Sequence, residues 1–333
     1  MDLASRISGK WSRTIKSLSR LSKLKGNQEL QSKIAESRQF KKDYLYTDNP
    51  RVTIILQFFN KRHNIKKIIE HLRLTSAEEI IVIDDGSIDG SYEDWMNYLN
   101  RPNDFLVRCN DLFEVRTYDR ALRMARGDFV CLLQDDDIPP PNNLWVERAL
   151  TLFDTFPELV MLGGRDGMDI LMHDPVAPGE QHEYYRRTGD IFEWPGVHKV
   201  RVYGPPDYLE PISGIPFRFT MTVNRAPTFL RRSEFLQIGG INQDYAPFQL
   251  DDDDACVRAW LAGYKVGFYN SSFIRDLDVG GMSLFNSEKR REQVVINAKR
   301  FYSEHSALIV NGYLQNLVDA ANSCLIRKDN ERA

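Results

Sequence analysis

Beginning at residue 51, short runs of apolar residues alternate with segments whose apolar residues recur every three to four positions. The runs predict strands at Val52–Phe58, Glu79–Asp84, Phe105–Arg108, Asp128–Gln134 and Glu158–Gly163. The segments between them predict helices near 63–73, 92–99, 115–126 and 142–156. Strands that alternate with helices are typical of β-α-β units, whose strands lie parallel in one sheet. We therefore expect an α/β domain built on a mainly parallel sheet with helices on its faces.

The pattern after these units is less regular. Residues 164–215 are rich in Gly, Pro, Tyr, His and charged residues and show no period, which favours long loops around a site. A last β/α unit is expected over Phe217–Tyr269, and the tail from Glu288 to Leu325 has a helical pattern. We therefore expect residues 276–333 to form a helical C-terminal extension.

Residues 1–50 form a separate extension by both pattern and charge. Six apolar residues fall within about a third of a helical wheel, opposite most of the basic ones: Leu3, Ile7, Trp11, Ile15, Leu18 and Leu21. Residues 1–42 carry 11 Lys and Arg against 3 Asp and Glu, whereas the rest of the chain carries 33 against 44. Such a basic amphipathic helix suits an anionic membrane surface, packing on its own domain or a partner, or a transit peptide. Residues 26–50 resemble a polar helical linker.

Composition excludes several classes of protein. The 333 residues are 42% hydrophobic and 27% charged with a formal net charge of −3, which is typical of a globular protein without a nucleic-acid footprint. No apolar run approaches the ~20 residues that span a bilayer, and no secretory signal is recognisable at the N-terminus. We therefore expect a cytoplasmic protein whose residues 1–25 are available for peripheral membrane contact. The four cysteines are far apart without a CxxC pair, which favours buried free thiols: Cys109, Cys131, Cys256 and Cys324.

Polar residues follow three of the predicted strands at the point where each strand ends. They are Gln57 after the first strand, Asp84–Asp85 after the second, and Asp135–Asp137 after the fourth. In an open parallel sheet this edge is where ligands bind. Three adjacent carboxylates repel one another, and their hard oxygen ligands suit Mg²⁺ or Mn²⁺ bridging substrate phosphates. The alternative for Asp135–Asp137 is a solvated turn that caps the next helix.

A second acidic cluster, Asp251–Asp254, directly precedes a helical pattern that ends at Gly263. Carboxylates in a first helical turn are stabilised by the helix dipole, so the cluster is consistent with simple capping. It is also consistent with a general base, because neighbouring like charges raise the pKa of a carboxylate toward the working range. The dinucleotide fingerprint, the P-loop, the nucleophile elbow and the HExxH motif are absent, and the six histidines show no metal-ligand spacing.

Together these residues resemble the family 2 glycosyltransferases. The resemblance covers about residues 50–275 and is carried by ordered motifs: VTIILQFFN at 52–60, IIVIDDGSID at 80–89, YDRALRMARGDFV at 118–130, LQDDD at 133–137, FLQIGG at 235–240 and DDDDACVR at 251–258. It implies the GT-A fold, with a nucleotide-binding half at 51–140 and an acceptor half at 141–275. Gln57, Gln134 and Asp251 stand where many members have Pro, Asp and Glu.

The resemblance also implies roles for the residues at the donor side of the site. Asp85 would bind the nucleoside base, with Asp84 beside it and Gln57 lining the same pocket. Asp136 matches the metal-binding aspartate of the D-x-D motif, with Asp135 and Asp137 contacting ribose or metal.

At the acceptor side, Asp252 matches the catalytic base, with Asp251 beside it. Arg116 would supply positive charge where the family's Arg-Asn pair is replaced by Tyr118-Asp119. Three further arginines fit either a phosphate clamp or a solvated surface: Arg225, Arg231 and Arg232.

The function implied by the resemblance is an inverting transfer of a sugar from a nucleotide-sugar donor, a UDP-sugar in our interpretation, to an acceptor hydroxyl with Mn²⁺ or Mg²⁺. A glycan or a lipid-linked acceptor would suit such an enzyme in glycan biosynthesis. Two alternatives remain open: a non-catalytic protein that binds a nucleotide or a glycan, and a sugar-phosphate nucleotidyltransferase, whose Gly-rich N-terminal signature is missing.

Overall fold

The computed structural model describes residues 32–33, 36, 49–164, 169–172, 198–201, 209–212, 214–223, 225, 227–275 and 287–330. The chain divides into two units, Met1–Asp48 and Asn49–Ala333. In the first unit the described residues are Ser32, Lys33 and Glu36, which are helical. The predicted amphipathic helix in residues 1–25 lies outside the described residues, so its membrane contact stays a prediction.

The second unit contains thirteen described strands and eight described helices. The strands are β1 Val52–Phe58, β2 Glu79–Asp84, β3 Asp104–Arg108, β4 Phe129–Gln134, β5 Asp137–Ile138, β6 Leu159–Gly163, β7 Asp169–Met172, β8 His198–Arg201, β9 Leu209–Ile212, β10 Ile215–Phe219, β11 Thr228–Arg231, β12 Lys265–Tyr269 and β13 Ile274–Arg275. The helices are α1 Arg62–Leu72, α2 Ser91–Tyr98, α3 Phe113–Met124, α4 Leu144–Thr155, α5 Arg232–Gln237, α6 Asp251–Leu261, α7 Ser287–Val310 and α8 Tyr313–Asn330. A single 3₁₀ turn, Gln243–Tyr245, precedes α6.

Nine of the strands form one sheet in the order β3-β2-β1-β4-β11-β6-β12-β10-β9. The first four strands of that order are parallel neighbours, and so are β6 and β12. Strand β11 lies antiparallel between β4 and β6, and β10 lies antiparallel between β12 and β9. The prediction of an α/β fold built on parallel strands is confirmed. The antiparallel strands extend the sheet beyond the parallel group β3-β2-β1-β4.

The core forms because the central strands are apolar on both faces. Every residue of β2 and β6 is buried, as are all of β1 and β4 except their last or near-last glutamines. Parallel strands covered by helices on both faces have this continuous apolar pattern. Helix α1 illustrates the cover, since its buried residues Ile65, Ile68, Ile69 and Leu72 fall on one face at helical spacing.

Two predictions require correction. Within residues 164–215, expected to be loops, the structure places β7, β8 and β9. These strands are four residues long, so they are too short for an alternating pattern to stand out from their surroundings. Among the cysteines, which are all free, Cys131 and Cys256 are buried as expected, whereas Cys109 is half-buried and Cys324 is exposed.

Among the described helices none is long and apolar enough to cross a bilayer.

Candidate functional site

The strand register brings the ends of three predicted strands together at one edge of the sheet. Gln57 in β1 is paired with Gln134 in β4 on one side and with Ile83 in β2 on the other. The next residue, Phe58, is paired with Asp84. The carboxyl ends of β1, β2 and β4 therefore finish level with one another. This is the edge of a parallel sheet at which ligands bind.

Asp85 orders the loop that leads into α3. Its Oδ1 accepts a hydrogen bond from the Leu112 amide at 3.0 Å, and its Oδ2 accepts one from the Phe113 amide at 2.8 Å. The Cys109 thiol donates to Oδ1 at 3.1 Å, and burial together with this carboxylate raises the pKa of the thiol. Phe113 has a φ of +57°, a conformation that costs free energy outside glycine. The Asp85 carboxylate thus stabilises the strained loop beside the strand ends.

Asp84, the last residue of β2 and the neighbour of Asp85 in the chain, is fully buried. Burial raises the pKa of its carboxyl group, and the hydrogen bonds from Ser87 and the charge of Arg108 oppose this rise. The Asp85 amide donates to the Phe58 carbonyl oxygen at 2.9 Å, which fixes the pair of aspartates to β1.

The Asp135–Asp137 cluster follows β4 at the same edge. Asp135 accepts a hydrogen bond from the Phe59 amide at 2.8 Å, and the side chain of Asn64 donates to the Asp135 carbonyl at 3.0 Å. Burial raises the pKa of Asp135 to about 7, opposed by the Phe59 amide and reinforced by Asp136. Asp136 is half-buried. Asp137 is buried in β5, where its backbone lies opposite that of Arg275 in the antiparallel strand β13.

These three carboxylates are hard oxygen donors on consecutive residues, which is the ligand chemistry that a divalent cation requires. Burial is the main cause of the raised pKa of Asp135, and the charges of Asp136 and Asp137 add to it. The described residues whose ligand atoms lie within 4.8 Å of one another are Asp254, Glu304 and His305, so a metal site at Asp136 and Asp137 stays a prediction.

In the second acidic cluster, at the start of α6, the four aspartates differ in environment. Asp251 forms a bidentate ion pair with Arg225, at 2.6 and 2.7 Å, and both side chains are buried. The Arg225 guanidinium also lies over the Tyr118 ring, 4.8 Å from its centroid. Asp254 is likewise buried and ion-paired, whereas Asp252 is half-buried. Burial raises the pKa of Asp252, and the charge of Arg225 opposes that rise.

Glu114, in the first turn of α3, connects the two acidic clusters. The Gln134 side-chain amide donates to its Oε2 at 3.1 Å, and the Gln249 backbone amide donates to the same carboxylate. Burial raises the pKa of Glu114, Arg225 lowers it, and Asp251 raises it further. Hydrogen bonds through Glu114 therefore link the end of β4 to the segment directly before α6. Sequence analysis missed Glu114 because an acidic residue in a first helical turn is common without any function.

Three of the arginines singled out in the sequence are not solvated side chains: Arg225, Arg231 and Arg232. Arg225 is buried, so the solvated interpretation is wrong for it, and its charge is neutralised by Asp251. Arg231 donates to the carbonyls of Phe153 and Leu159, and Arg232 donates to that of Leu122. Neither is a freely solvated side chain, since both are half-buried. Arg116 is exposed on α3, and its substrate-binding role stays a prediction.

A polar network joins the start of α6 to α7. Asp254 receives a hydrogen bond from His305 at 2.9 Å and one from Arg258 at 2.7 Å, and Tyr245 donates to Glu304 at 3.0 Å. Ligand atoms of Asp254, Glu304 and His305 lie within 4.8 Å of one another, a grouping that the sequence spacing did not reveal. Hydrogen bonds within the protein account for the orientation of Asp254, and the network acts as a link between the two helices.

This network predicts a pH-dependent contribution to stability. Burial alone would raise the pKa of Asp254, but His305 and Arg258 outweigh it and hold the pKa below its usual range. A carboxyl group with a depressed folded-state pKa stabilises the protein above its unfolded pKa of ~3.9 and loses that contribution as the pH falls through the folded value. In urea unfolding at pH 7, Asp254→Asn is expected to lower the free energy of unfolding by about 2 kcal/mol.

The difference between Asp254→Asn and the wild type should shrink as the pH is lowered below 4. A matched control is Asp244→Asn, because Asp244 forms a solvent-exposed pair with Arg300 and is expected to change stability by less than ~1 kcal/mol. A destabilisation by Asp254→Asn that stays constant between pH 7 and pH 3 would contradict the ionic origin of the effect.

Comparison with known proteins finds one family model that matches part of the chain. Residues 53–191 match the family model described as Glycosyl transferase family 2. No curated protein matches the chain at a significant level.

Solved structures that match part of the chain include the following three. A mannosyltransferase from Pyrobaculum calidifontis in complex with GDP-Man and Mn²⁺ is 16% identical with a TM-score of 0.45, and the match covers 66% of this chain and 55% of that one. TarS 1–349 from S. aureus in complex with UDP-GlcNAc is 16% identical with a TM-score of 0.45, covering 73% of this chain and 64% of that one. Glucosyl-3-phosphoglycerate synthase from Mycobacterium tuberculosis, with Mn²⁺ and UDP, is 20% identical with a TM-score of 0.30, covering 34% and 43%. Each match spans less than two thirds of the other protein.

Proposed function

We propose that this protein transfers a sugar from a nucleotide-sugar donor to an acceptor hydroxyl, because residues 53–191 match the family model described as Glycosyl transferase family 2. The donor in this proposal is a UDP-sugar and the transfer inverts the configuration at the anomeric carbon. The α/β architecture, with its group of parallel strands, agrees with the GT-A fold that the sequence motifs imply.

The observation that supports this function most directly is the chain of hydrogen bonds that links the end of β4 to the segment before α6. Gln134 and Glu114 are hydrogen-bonded, and Glu114 in turn accepts a hydrogen bond from the backbone of Gln249, two residues before α6. A glycosyl transfer needs a group that binds the donor diphosphate and, facing it, a base for the acceptor hydroxyl. Clusters in separate parts of the protein would not serve that reaction.

On the donor side, Asp85 and Asp84 lie at the end of β2, where the nucleoside would bind beside Gln57. Asp136 and Asp137 would hold Mn²⁺ or Mg²⁺, with Asp135 contacting the ribose or the ion. When bound, such an ion neutralises charge on the diphosphate leaving group. The protein residues contribute fixed positions, because the backbone amide of Phe59 and the side chain of Asn64 hold the Asp135 segment in place.

On the acceptor side, Asp252 is our candidate for the base, because it is the most exposed of the four aspartates at the start of α6 and the other three are buried. The carboxylate of Asp251 is neutralised by Arg225, and that of Asp254 by Arg258 and His305. Asp252 is half-buried, and its raised pKa matches the task of accepting a proton from a hydroxyl group. Direct attack of the activated hydroxyl at the anomeric carbon is a single displacement, and a single displacement inverts the configuration.

The acceptor in this proposal is a glycan or a lipid-linked saccharide. Its support is the basic, amphipathic pattern of residues 1–25, which would place the enzyme at an anionic membrane surface.

The experiment that tests the proposed function measures nucleotide binding with and without metal. In a thermal-shift panel of UDP, GDP, CMP and TDP, we expect UDP to raise the melting temperature in the presence of Mn²⁺, because a ligand that binds only the folded state stabilises it. Asp136→Ala is expected to abolish the Mn²⁺-dependent part of this shift. The matched control is Asp154→Ala, since Asp154 is exposed and pairs with Arg51 on the surface.

Two outcomes would count against the proposal. UDP affinity that is unchanged by Mn²⁺ in both the wild type and Asp136→Ala would remove the metal assignment. A well-folded wild type that responds to none of the four nucleotides at millimolar concentration would favour a non-catalytic protein.

A further inference from the structure

The segment directly before α6 has an unusual backbone. Gln249 and Leu250 both have positive φ angles, of 76° and 67°, and neither is glycine. Two successive left-handed residues cost free energy and persist only when surrounding contacts hold them in place. The chain turns here and at once begins the helix that carries Asp252. The position of the candidate base therefore depends on what holds this turn.

Helix α3 contacts this turn through Glu114, which accepts a hydrogen bond from the Gln249 amide, and through the Val115 amide, which donates to the Pro247 carbonyl at 3.2 Å. The contacts to the carbonyl groups of Tyr245, Phe248 and Gln249 come from α7. The Asn297 side-chain amide nitrogen lies 2.8 Å from the Tyr245 carbonyl oxygen, 2.7 Å from that of Phe248 and 3.2 Å from that of Gln249. Asn297 has no exposed surface. Carbonyl oxygens only accept hydrogen bonds, so the side chain must present its NH₂ group to all three. A single buried side chain thus bonds to carbonyl groups at three positions of the turn, with its two hydrogens shared among them.

Asn297 is itself oriented by a neighbour on the same helix. The Gln293 side chain donates to its Oδ1 at 3.0 Å, one helical turn away. A further buried pair, between His305 and Asp254, fixes α7 against the start of α6. Helix α7 therefore contacts residues on both sides of the turn, and the turn itself is bound by Asn297.

We propose that Asn297 is a positioning residue for the transfer reaction, which fixes the turn at 248–250 and through it the location of Asp252. The assignment of Asp252 as base rests on the proposed function, whereas the contacts of Asn297 do not. Helix α7 lies beyond residues 53–191, which match the family model, and it belongs to the part predicted to be a C-terminal extension. On this proposal that extension is a working part of the catalytic site.

The test compares Asn297→Ala with Asn322→Ala. Asn322 is also a buried asparagine of the C-terminal helices, and its side chain bonds to the backbone of Phe219. Both variants remove buried hydrogen bonds and should lower the melting temperature to a similar degree. Only Asn297→Ala should lower kcat at saturating donor, by roughly 10–100-fold, because small misplacements of a reacting group have effects of this size. The affinity for UDP with Mn²⁺ should stay within about twofold of the wild type in both variants.

Backbone hydrogen exchange gives a second measurement that does not depend on activity. In the wild type the Asp254 amide donates to the Leu250 carbonyl at 3.0 Å. Asn297→Ala should speed exchange of the amides at 250–254, and Asn322→Ala should not. If Asn297→Ala does not fold, Gln293→Ala offers a milder version, with the same direction of change in exchange and in kcat.

Each result decides the proposal. Unchanged exchange at 250–254, or a loss of kcat no greater than that in Asn322→Ala, would overturn it. A wild type that binds UDP with Mn²⁺ and transfers no sugar would instead defeat the proposed function. In that case the exchange data alone still decide whether Asn297 holds the segment that carries Asp252.

Discussion

Asp252→Asn is expected to lower the rate of sugar transfer at least ~100-fold while leaving the affinity for UDP with Mn²⁺ unchanged. The amide cannot accept the proton of the acceptor hydroxyl, yet it keeps the size and shape of the carboxylate, so the donor site at the strand ends should remain intact. Single-turnover transfer with saturating donor measures the first quantity, and equilibrium nucleotide binding measures the second. Asp244→Asn is a suitable control, because Asp244 lies in the same stretch of chain but is exposed.

The assignment of Asp252 as the base also predicts how kcat changes with pH. Burial raises the pKa of Asp252 above the ordinary carboxyl value, with Arg225 opposing the rise. A base must be deprotonated to act, so kcat should rise with pH through a pKa above ~3.9 and level off once the carboxyl group is ionised. Asp252→Asn should remove this ascending limb. Near-normal transfer by the variant, or an ascending limb that survives in it, would place the base elsewhere.

Arg225→Met is expected to have the largest effect on stability, with a loss of about 3–5 kcal/mol in the free energy of unfolding. The substitution keeps an apolar stem but leaves the Asp251 carboxylate buried without its partner, and it removes the charge that opposes the raised pKa values of Glu114 and Asp252. Urea unfolding at pH 7 measures the loss. The control is Arg51→Met, because Arg51 forms an exposed pair with Asp154, for which less than ~1 kcal/mol is expected.

A double-mutant cycle would show whether the effect belongs to the pair. Asp251→Asn removes the uncompensated charge, so Arg225→Met combined with Asp251→Asn should be more stable than the sum of the single losses predicts. Additive losses, or an Arg225→Met variant within 1 kcal/mol of the wild type, would contradict the buried ion pair as the source of stability.

Much of the first half of the fold was predictable from the sequence because its signals are local. The apolar runs of β1 and β2 are bounded by polar or turn-forming residues, and the predicted and observed bounds coincide at Val52–Phe58 and Glu79–Asp84. Polar residues at the ends of those strands could be assigned to one edge of the sheet by topology alone. Their roles as ligands of a nucleotide and a metal stay predictions.

The residues that complete the site could not be predicted, because their meaning depends on contacts between distant parts of the chain. Arg225 pairs with Asp251 across 26 positions, and Asn297 reaches Gln249 across 48. Nothing in the local pattern around Arg225 distinguishes a buried counter-ion from a solvated side chain, which is why the solvated interpretation was wrong. A polar residue such as Asn297 also weakens the apolar periodicity of its helix instead of marking it.

Strand β11 has a consequence for how the protein folds. It is the antiparallel strand that joins the parallel group ending in β4 to β6, and its register pairs Thr228 with Leu132 and with Gly163. The pairing with β4 closes a long loop of chain, and pairings of that kind form late because loop closure costs entropy before the contact repays it. The strand ends that carry Asp84 and Asp135 can therefore order while the segment bearing Asp252 is still apart from them. During synthesis and folding, a nascent chain would then form the strand ends that we propose bind the donor before it places the aspartate that we propose acts as the base.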